Sequence, residues 1–156
     1  MKNFDIQEIG QVRKLFSEQK IILNEEYKEG LENIDGFSHL VIIWWANKIQ
    51  DCEIELLLEK PYTNGPSEIG IFATRTQIRP NPICISVIEV KRIDYKNGTI
   101  YTHYIDADDL TSVIDIKPYS PGSDRVRTVG TPEWCSHWPQ NYEESAMFDW
   151  DAEFNF

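Results

Sequence analysis

Val87-Ile88-Glu89-Val90-Lys91-Arg92-Ile93-Asp94-Tyr95-Lys96-Asn97-Gly98-Thr99-Ile100-Tyr101-Thr102 is a pair of β-branched runs around an Asn-Gly step. Asn-Gly between such runs is the strongest short-range hairpin signal, because both residues tolerate the positive φ of tight hairpin turns. Residues 83–93 and 99–105 therefore read as antiparallel neighbours.

Working outward, Phe37-Ser38-His39-Leu40-Val41-Ile42-Ile43-Trp44-Trp45 follows Gly36 and contains no proline. Its β-branched and aromatic residues lie on both faces, which predicts a central strand. Residues 5–13 read as a first strand through Ile6, Ile9 and Val12, and residues 21–23 as a short apolar patch. Residues 113–116 read as a further strand stopped by Pro118, and residues 70–73 as a strand restarting after a loop at 61–66. The apolar run 54–58 does not separate strand from helix. Before residue 128 no helical period lasts beyond a turn or two, and no Gly-x-Gly-x-x-Gly or Walker-type loop occurs, so a nucleotide-binding βαβ unit is not supported. The expected fold is mainly β: a small, closed or nearly closed antiparallel β-barrel over residues 1–127 with short helices.

Charge narrows the function classes. The 156 residues carry 15 Lys+Arg against 26 Asp+Glu, a net of −11. That excludes a generic basic nucleic-acid binder, whose affinity comes from cations displacing counterions, and argues against anionic membranes. The longest apolar run, 40–46, has strand length rather than bilayer length. The opening Met1-Lys2-Asn3-Phe4-Asp5 has no apolar run behind it and reads as lacking a signal peptide. Cys52, Cys84 and Cys135 are odd in number and form no Cys-x-x-Cys, so reduced thiols in a cytoplasm are expected and no metal site.

The last basic residue is Arg127; residues 128–156 hold six acids and three of the five tryptophans. A merely solvating tail would be poor in aromatics. Trp134 and Trp138, and then Tyr142, Ala146, Trp150 and Phe154, recur at a spacing of four. That spacing predicts two short helices with aromatic stripes, packed on the barrel or on a partner subunit.

Two segments could carry chemistry. In residues 70–82, an extended backbone would point Arg75, Gln77 and Arg79 the same way. Pro80 and Pro82 stiffen the loop around Asn81. Guanidiniums there suit phosphate or carboxylate, and two surface arginines on a Pro-rich turn fit the same residues. In residues 106–119, Asp106, Asp108 and Asp109 crowd one turn, and crowded carboxylates favour a cation among them. Beyond them Asp115, Lys117 and Tyr119 share one face at period two, with Ile114 and Ile116 on the other. An Asp–Lys pair there could orient a polar ligand or be an ordinary exposed ion pair. His39, His103 and His137 do not cluster, and His39 reads as a hydrogen-bonded strand histidine.

Taken in order, Gly36-Phe37-Ser38-His39-Leu40, Gly70-Ile71-Phe72-Ala73-Thr74-Arg75, Arg79-Pro80-Asn81-Pro82-Ile83 and Asp115-Ile116-Lys117-Pro118-Tyr119 resemble the TsaA-like (TrmO) family over residues 5–120. Ile9-Gly10-Gln11-Val12-Arg13 resembles its first strand. The resemblance implies a β-barrel S-adenosyl-L-methionine-dependent methyltransferase, dimeric, with the cofactor near the subunit interface. The implied substrate is N6 of the threonylcarbamoyl-modified adenosine 37 of a tRNA.

Residue by residue, the resemblance implies cofactor contacts at Asn47 and Lys48, at Arg75, near Ile85, and at Asp109, Leu110, Thr111 and Ser112. The family usually reads Asp-Gly-Thr-Pro where this chain reads Asp109-Leu110-Thr111-Ser112. Its early Pro-Arg-Gln segment has no match in Lys20-Ile21-Ile22-Leu23-Asn24. Arg79, Asn81, Asp115, Lys117 and Tyr119 are the candidate catalytic residues, with Asn81, Asp109 and Asp115 the candidates to accept hydrogen bonds from the substrate amine. Arg75 and Arg79 would neutralise a phosphate or the threonylcarbamoyl carboxylate, and Asp106 and Asp109 would favour a sulfonium. The competing readings are a non-enzymatic module that binds the cofactor or a protein, and a methyltransferase with a substrate other than tRNA.

Overall fold

Eight strands and several short helical segments make up the computed structural model, which describes residues 4–16, 18–49 and 52–155. Met1, Lys2 and Asn3, which enter the signal-peptide reading, lie outside these residues. The chain divides into two compact units, Met1–Cys52 with Gln77–Arg125 and Glu53–Thr76 with Val126–Phe156.

The first unit is the expected antiparallel barrel. Its strands are β1 (Gly10–Leu15), β2 (Glu18–Leu23), β3 (His39–Trp45), β6 (Ile83–Asp94), β7 (Thr99–Thr102) and β8 (Ser112–Pro118). They close in the order β1-β2-β7-β6-β3-β8, and β8 returns to β1. Closure leaves no sheet edge exposed to another chain. Val12, Ile21, Leu40, Ile42, Ile88, Ile100 and Val113 fill the interior and are fully buried. Each contributes roughly 1.5–3 kcal/mol by leaving water.

β3 pairs β6 on one side and β8 on the other, as its composition predicts. Only one of its faces is buried, however: Leu40, Ile42 and Trp44 enter the core while His39, Val41, Ile43 and Trp45 are half-buried. A barrel has one interior, so the second apolar face of β3 lies on its outside.

The hairpin forms between β6 and β7 with a four-residue loop rather than a two-residue turn. Asp94 pairs with Thr99, and its carboxylate accepts from the Asn97 backbone N–H at 3.1 Å and side-chain amide at 2.7 Å. These bonds hold Asp94 below the usual carboxylate range. Gly98 takes φ +58°, the left-handed region that favours glycine. Gly10 answers a different need: a Cβ there would stand 2.4 Å from the Ile22 carbonyl oxygen.

The first strand starts later than residues 5–13 and runs on to Leu15, followed by Phe16 at φ +49°. β8 carries a bulge: Ile43 faces Asp115 and Trp44 faces Val113, leaving Ile114 unpaired. Val113 and Ile116 therefore both join the core, instead of Ile114 with Ile116.

In the second unit, β4 (Leu57–Glu59) pairs antiparallel with β5 (Glu68–Gly70). The expected strand at 70–73 ends at Gly70. Residues Ile71–Ala73 form a 3-10 turn, closed by the Thr74 hydroxyl donating to the Ile71 carbonyl at 2.8 Å. The two expected tail helices are instead separate single turns, Glu133–Cys135, Tyr142–Ser145 and Trp150–Ala152. Ring packing takes over from helical continuity: Tyr62 stacks on Trp134 with centroids 5.2 Å apart and meets Trp138 edge-on at 5.2 Å. Trp138 in turn meets Trp150 at 5.4 Å. Glu153 is buried among these rings. It accepts from the Trp138 indole at 3.0 Å and lies 2.8 Å from His137 Nε2.

Candidate functional site

At the end of β3 the Ala46 N–H donates to the Pro82 carbonyl at 2.9 Å, and the chain enters a 3-10 turn at Asn47–Ile49. This tie sets Asn47 and Lys48 at the mouth of the barrel. On the other side of the mouth, Leu110 N–H donates to Val12 O at 2.8 Å and Val12 N–H to Thr111 O at 2.9 Å, seaming the 108–111 turn to β1. Leu110 itself is at φ +66°. Thr111 N–H lies 3.3 Å from the Asp108 carbonyl, closing a turn that needs positive φ at its third residue. Leucine thus holds the conformation that a glycine would adopt freely.

Between these two loops is a cavity of about 100 Å³ lined by Lys14, Trp44, Asn47, Lys48, Gln77, Asp106, Asp108 and Thr111. Trp44 forms its floor, 3% exposed, with the indole N–H donating to Ser86 Oγ at 2.9 Å. Lys48 Nζ is 3.1 Å from Asp108 Oδ2, both well exposed. Such a pair contributes at most ~1 kcal/mol and is free to exchange for a ligand's charges. Asp106 adds a second carboxylate to the rim.

The cavity brings together Asn47, Lys48 and Thr111 from the expected set. Asp109 turns to another task. Its carboxylate accepts from the Lys14 backbone N–H at 2.8 Å and from Arg13 Nε at 3.2 Å. The Lys14 N–H, then Arg13, hold it below the ordinary carboxylate range. It pins the end of β1 and is not part of the lining. Ser112 opens β8 and donates its hydroxyl to Glu8.

The remaining expected residues are elsewhere in the barrel or in the second unit. Ile85, half-exposed, stands beside Ile43 on the outside of the barrel. Asp115 flanks Ile43 from the other side and binds Lys117 Nζ at 2.5 Å. Tyr119 donates its backbone N–H to His39 O at 3.0 Å, and the two rings meet edge-on at 6.4 Å. Ser38 and His39 Nδ1 are within hydrogen-bond distance at 2.9 Å, as expected of a strand histidine. Arg79 and Asn81 lie in an irregular stretch before β6, and Arg75 belongs to the second unit, so no common strand aligns Arg75, Gln77 and Arg79. Among the described residues, no group of three His, Cys, Asp or Glu side chains is placed to hold a metal ion.

Besides Trp44, read only as part of the central strand, Lys14 is a lining residue that sequence reading missed. The signal was present: it is two residues beyond the buried Val12 and so on the same face of β1.

A model of the tRNA-methyltransferase O N-terminal domain matches residues 8–125. The chain belongs to this family. An S-adenosyl-L-methionine-binding protein of Archaeoglobus fulgidus is 32% identical over 110 residues, 70% of this chain and 75% of that one. The tRNA (adenine(37)-N6)-methyltransferase of Escherichia coli is 30% identical over 114 residues, 72% of this chain but 48% of the longer relative. The crystal structure of TrmO from Pseudomonas aeruginosa superposes with a TM-score of 0.65 at 25% identity, covering 83% of this chain and 61% of that one. The barrel is thus shared with the TrmO crystal structure, while the chain spans only about half to three quarters of these proteins. Among the described residues no helix is long and apolar enough to cross a membrane.

Proposed function

We propose that this chain is a cytoplasmic, homodimeric S-adenosyl-L-methionine-dependent methyltransferase acting on N6 of the threonylcarbamoyl-modified adenosine 37 of a tRNA. The observation that carries the reading is the match to the tRNA-methyltransferase O N-terminal domain over residues 8–125. Similarity to an S-adenosyl-L-methionine-binding protein and to a tRNA adenine-37 methyltransferase supports it.

The donor set at the barrel mouth fits the cofactor. Asp106 and Asp108 supply negative charge for a sulfonium, Lys48 a cation for a carboxylate, and Asn47 and Thr111 neutral hydrogen-bonding groups. When bound, the cofactor supplies an electrophilic methyl group. The chain's own contribution is to align an amine with that methyl and to accept hydrogen bonds from its N–H groups, which raises its nucleophilicity. Asn81 is the candidate acceptor from the loop before β6, with Arg79 beside it to meet the substrate's negative charge.

A cavity of about 100 Å³ is well below the roughly 300 Å³ or more of ordinary small-molecule sites. A second copy enlarging it explains the shortfall. The outside of the barrel offers the surface: Ile83–Trp45, Ile85–Ile43 and Val87–Val41 are cross-strand neighbours in three apolar rows, bordered by Asp115, Lys117 and Tyr119. In the dimer these polar residues and Ile85 reach the partner's site.

The test is methyl transfer from labelled cofactor to total tRNA, with calorimetry of cofactor binding and light scattering on the same preparation. Transfer to tRNA by a dimer is the expected result. Cofactor binding without transfer to any RNA would replace the enzyme reading with that of a binding module, and a monomeric active protein would remove the dimer.

A further inference from the structure

Arg13, Lys20, Tyr101 and Arg92 are consecutive cross-strand partners on β1, β2, β7 and β6. Their chain neighbours Val12, Ile21 and Ile100 are fully buried, so the row lies on the outside of the barrel. Three strand spacings make it about 14 Å long. Arg92 stacks 3.2 Å above the Tyr101 ring centroid, and Lys20 Nζ stands 5.5 Å from the same ring. Glu18 serves two of these cations at once, 3.4 Å from Arg92 and 4.0 Å from Lys20.

Both ends of the row open into cavities. At one end Lys14, next to Arg13, lines the mouth with Asp106 and Asp108. At the other, Arg92 and Lys91 line a second cavity of about 320 Å³ with Phe37 and Tyr95. Phe37 and Tyr95 are 43% and 42% exposed, a large aromatic area left to solvent. Tyr95 is steadied by its hydroxyl donating to Asp35 at 2.5 Å. The second cavity opens at the start of β3 and the first at its end, so a strand of seven residues separates them, about 20 Å.

We propose that this row is the track for a single-stranded RNA segment, and that the larger cavity holds one unstacked base of it against Phe37 and Tyr95. Cations spaced along a groove with aromatic rings between them are how single strands are held: phosphates meet the cations and bases stack on the rings. In a chain of net charge −11, the row's cations Arg13, Lys20 and Arg92, with Lys14 and Lys91 beside its two ends, outnumber the Asp109 and Glu18 carboxylates that engage Arg13, Lys20 and Arg92, and make a local positive stripe. The acidic mouth suits a sulfonium, the stripe leading from it suits phosphate, and the base cavity fixes the register of the strand. The track leaves free the apolar rows of β3 and β6. This inference rests on the RNA-methyltransferase reading and adds where the RNA lies and a base site outside the reaction centre.

The experiment measures binding of a fluorescein-labelled tRNA anticodon stem-loop by anisotropy over a salt series, for wild type, Lys20→Gln/Arg92→Gln, Arg92→Lys and Phe37→Ala. The double variant is expected to raise Kd about tenfold and to flatten the log–log salt slope by about 2. Arg92→Lys should keep the slope. Phe37→Ala should raise Kd about fivefold with the slope unchanged, as loss of stacking does. Cofactor affinity by calorimetry and the thermal melt should stay at wild-type values in all three. Wild type that methylates or binds RNA while the double variant retains both Kd and slope overturns the track alone. Wild type with no affinity for the stem-loop overturns the RNA reading and the track together. Equal loss from Arg92→Lys and the double variant, with a lowered melt, assigns these residues to stability and overturns the proposal.

Discussion

Leu110 donates its backbone N–H to the carbonyl of Val12 at 2.8 Å while held at φ +66°. The bond seams the barrel mouth to β1, and the strained backbone is the cost of making it with a side chain present. A non-glycine residue in this region costs roughly 1–2 kcal/mol. Glycine would remove that strain but lose about 0.4–1 kcal/mol through the freer unfolded chain. Leu110→Gly is therefore expected to stabilise the protein by about 0.5 kcal/mol, raising the melting temperature by roughly 1–2 °C. Leu110→Val, β-branched at the same φ, should lower it. A melt in which the glycine variant is the less stable of the two would show that the leucine side chain, not the backbone, holds this turn.

Ser86 and Trp44 form a second dependence beneath the same cavity. Both are buried, at 7% and 3% exposure, and the indole N–H has Ser86 Oγ as its acceptor. Ser86→Ala leaves that donor unsatisfied, with an expected loss of about 1–3 kcal/mol in chemical denaturation. Ser86→Thr keeps the oxygen and should recover much of it.

The barrel was legible because its evidence is local. A β-branched run on each side of Asn97-Gly98 predicts an antiparallel pair, and the apolar stretch ending at Trp45 predicts a central strand. The details that failed depend on particular side-chain bonds or on partners distant in sequence. Asp94 reaching over to Asn97 set the loop at four residues, and the bulge opposite Ile43 moved Ile114 out of the core. In the tail, Tyr62 lies 72 residues before Trp134 in the chain, and its rings offer packing that a helical period cannot announce. The site was legible only in part. Asn47, Lys48 and Thr111 meet at one cavity, whereas Asp109, read as a cofactor carboxylate, is engaged by Arg13 and the Lys14 backbone.

Asp106 and Asp108 give the cofactor reading a charge-specific test. S-adenosylmethionine carries a sulfonium and its demethylated product a neutral thioether, so the carboxylates should favour the first. Asp106→Asn and Asp108→Asn are expected to weaken cofactor binding about three- to fivefold each, the scale of one exposed charge pair. Affinity for the product should change little. Calorimetry with both ligands reads the ratio. Equal weakening of both would assign the carboxylates to shape rather than charge, and no change in either would move the sulfonium out of this cavity.

Glu153 makes the second unit sensitive to acid. The Trp138 indole and His137 both bind its carboxylate and hold it below the ordinary range. A carboxyl whose folded pKa is depressed contributes stability above its unfolded value, about 4.3. That contribution is lost as pH falls through the lower, folded value. Titration from neutral pH should therefore leave the tryptophan emission steady to about pH 5. On further acidification it should show Trp134, Trp138 and Trp150 losing their packing. Glu153→Gln keeps an oxygen for the indole but cannot titrate, so its emission at neutral pH should already resemble a weakened unit and its acid step should shrink. Identical acid transitions in wild type and variant would show that carboxylates elsewhere, Asp94 and Asp109 among them, govern acid unfolding, and that Glu153 only fills space among the rings.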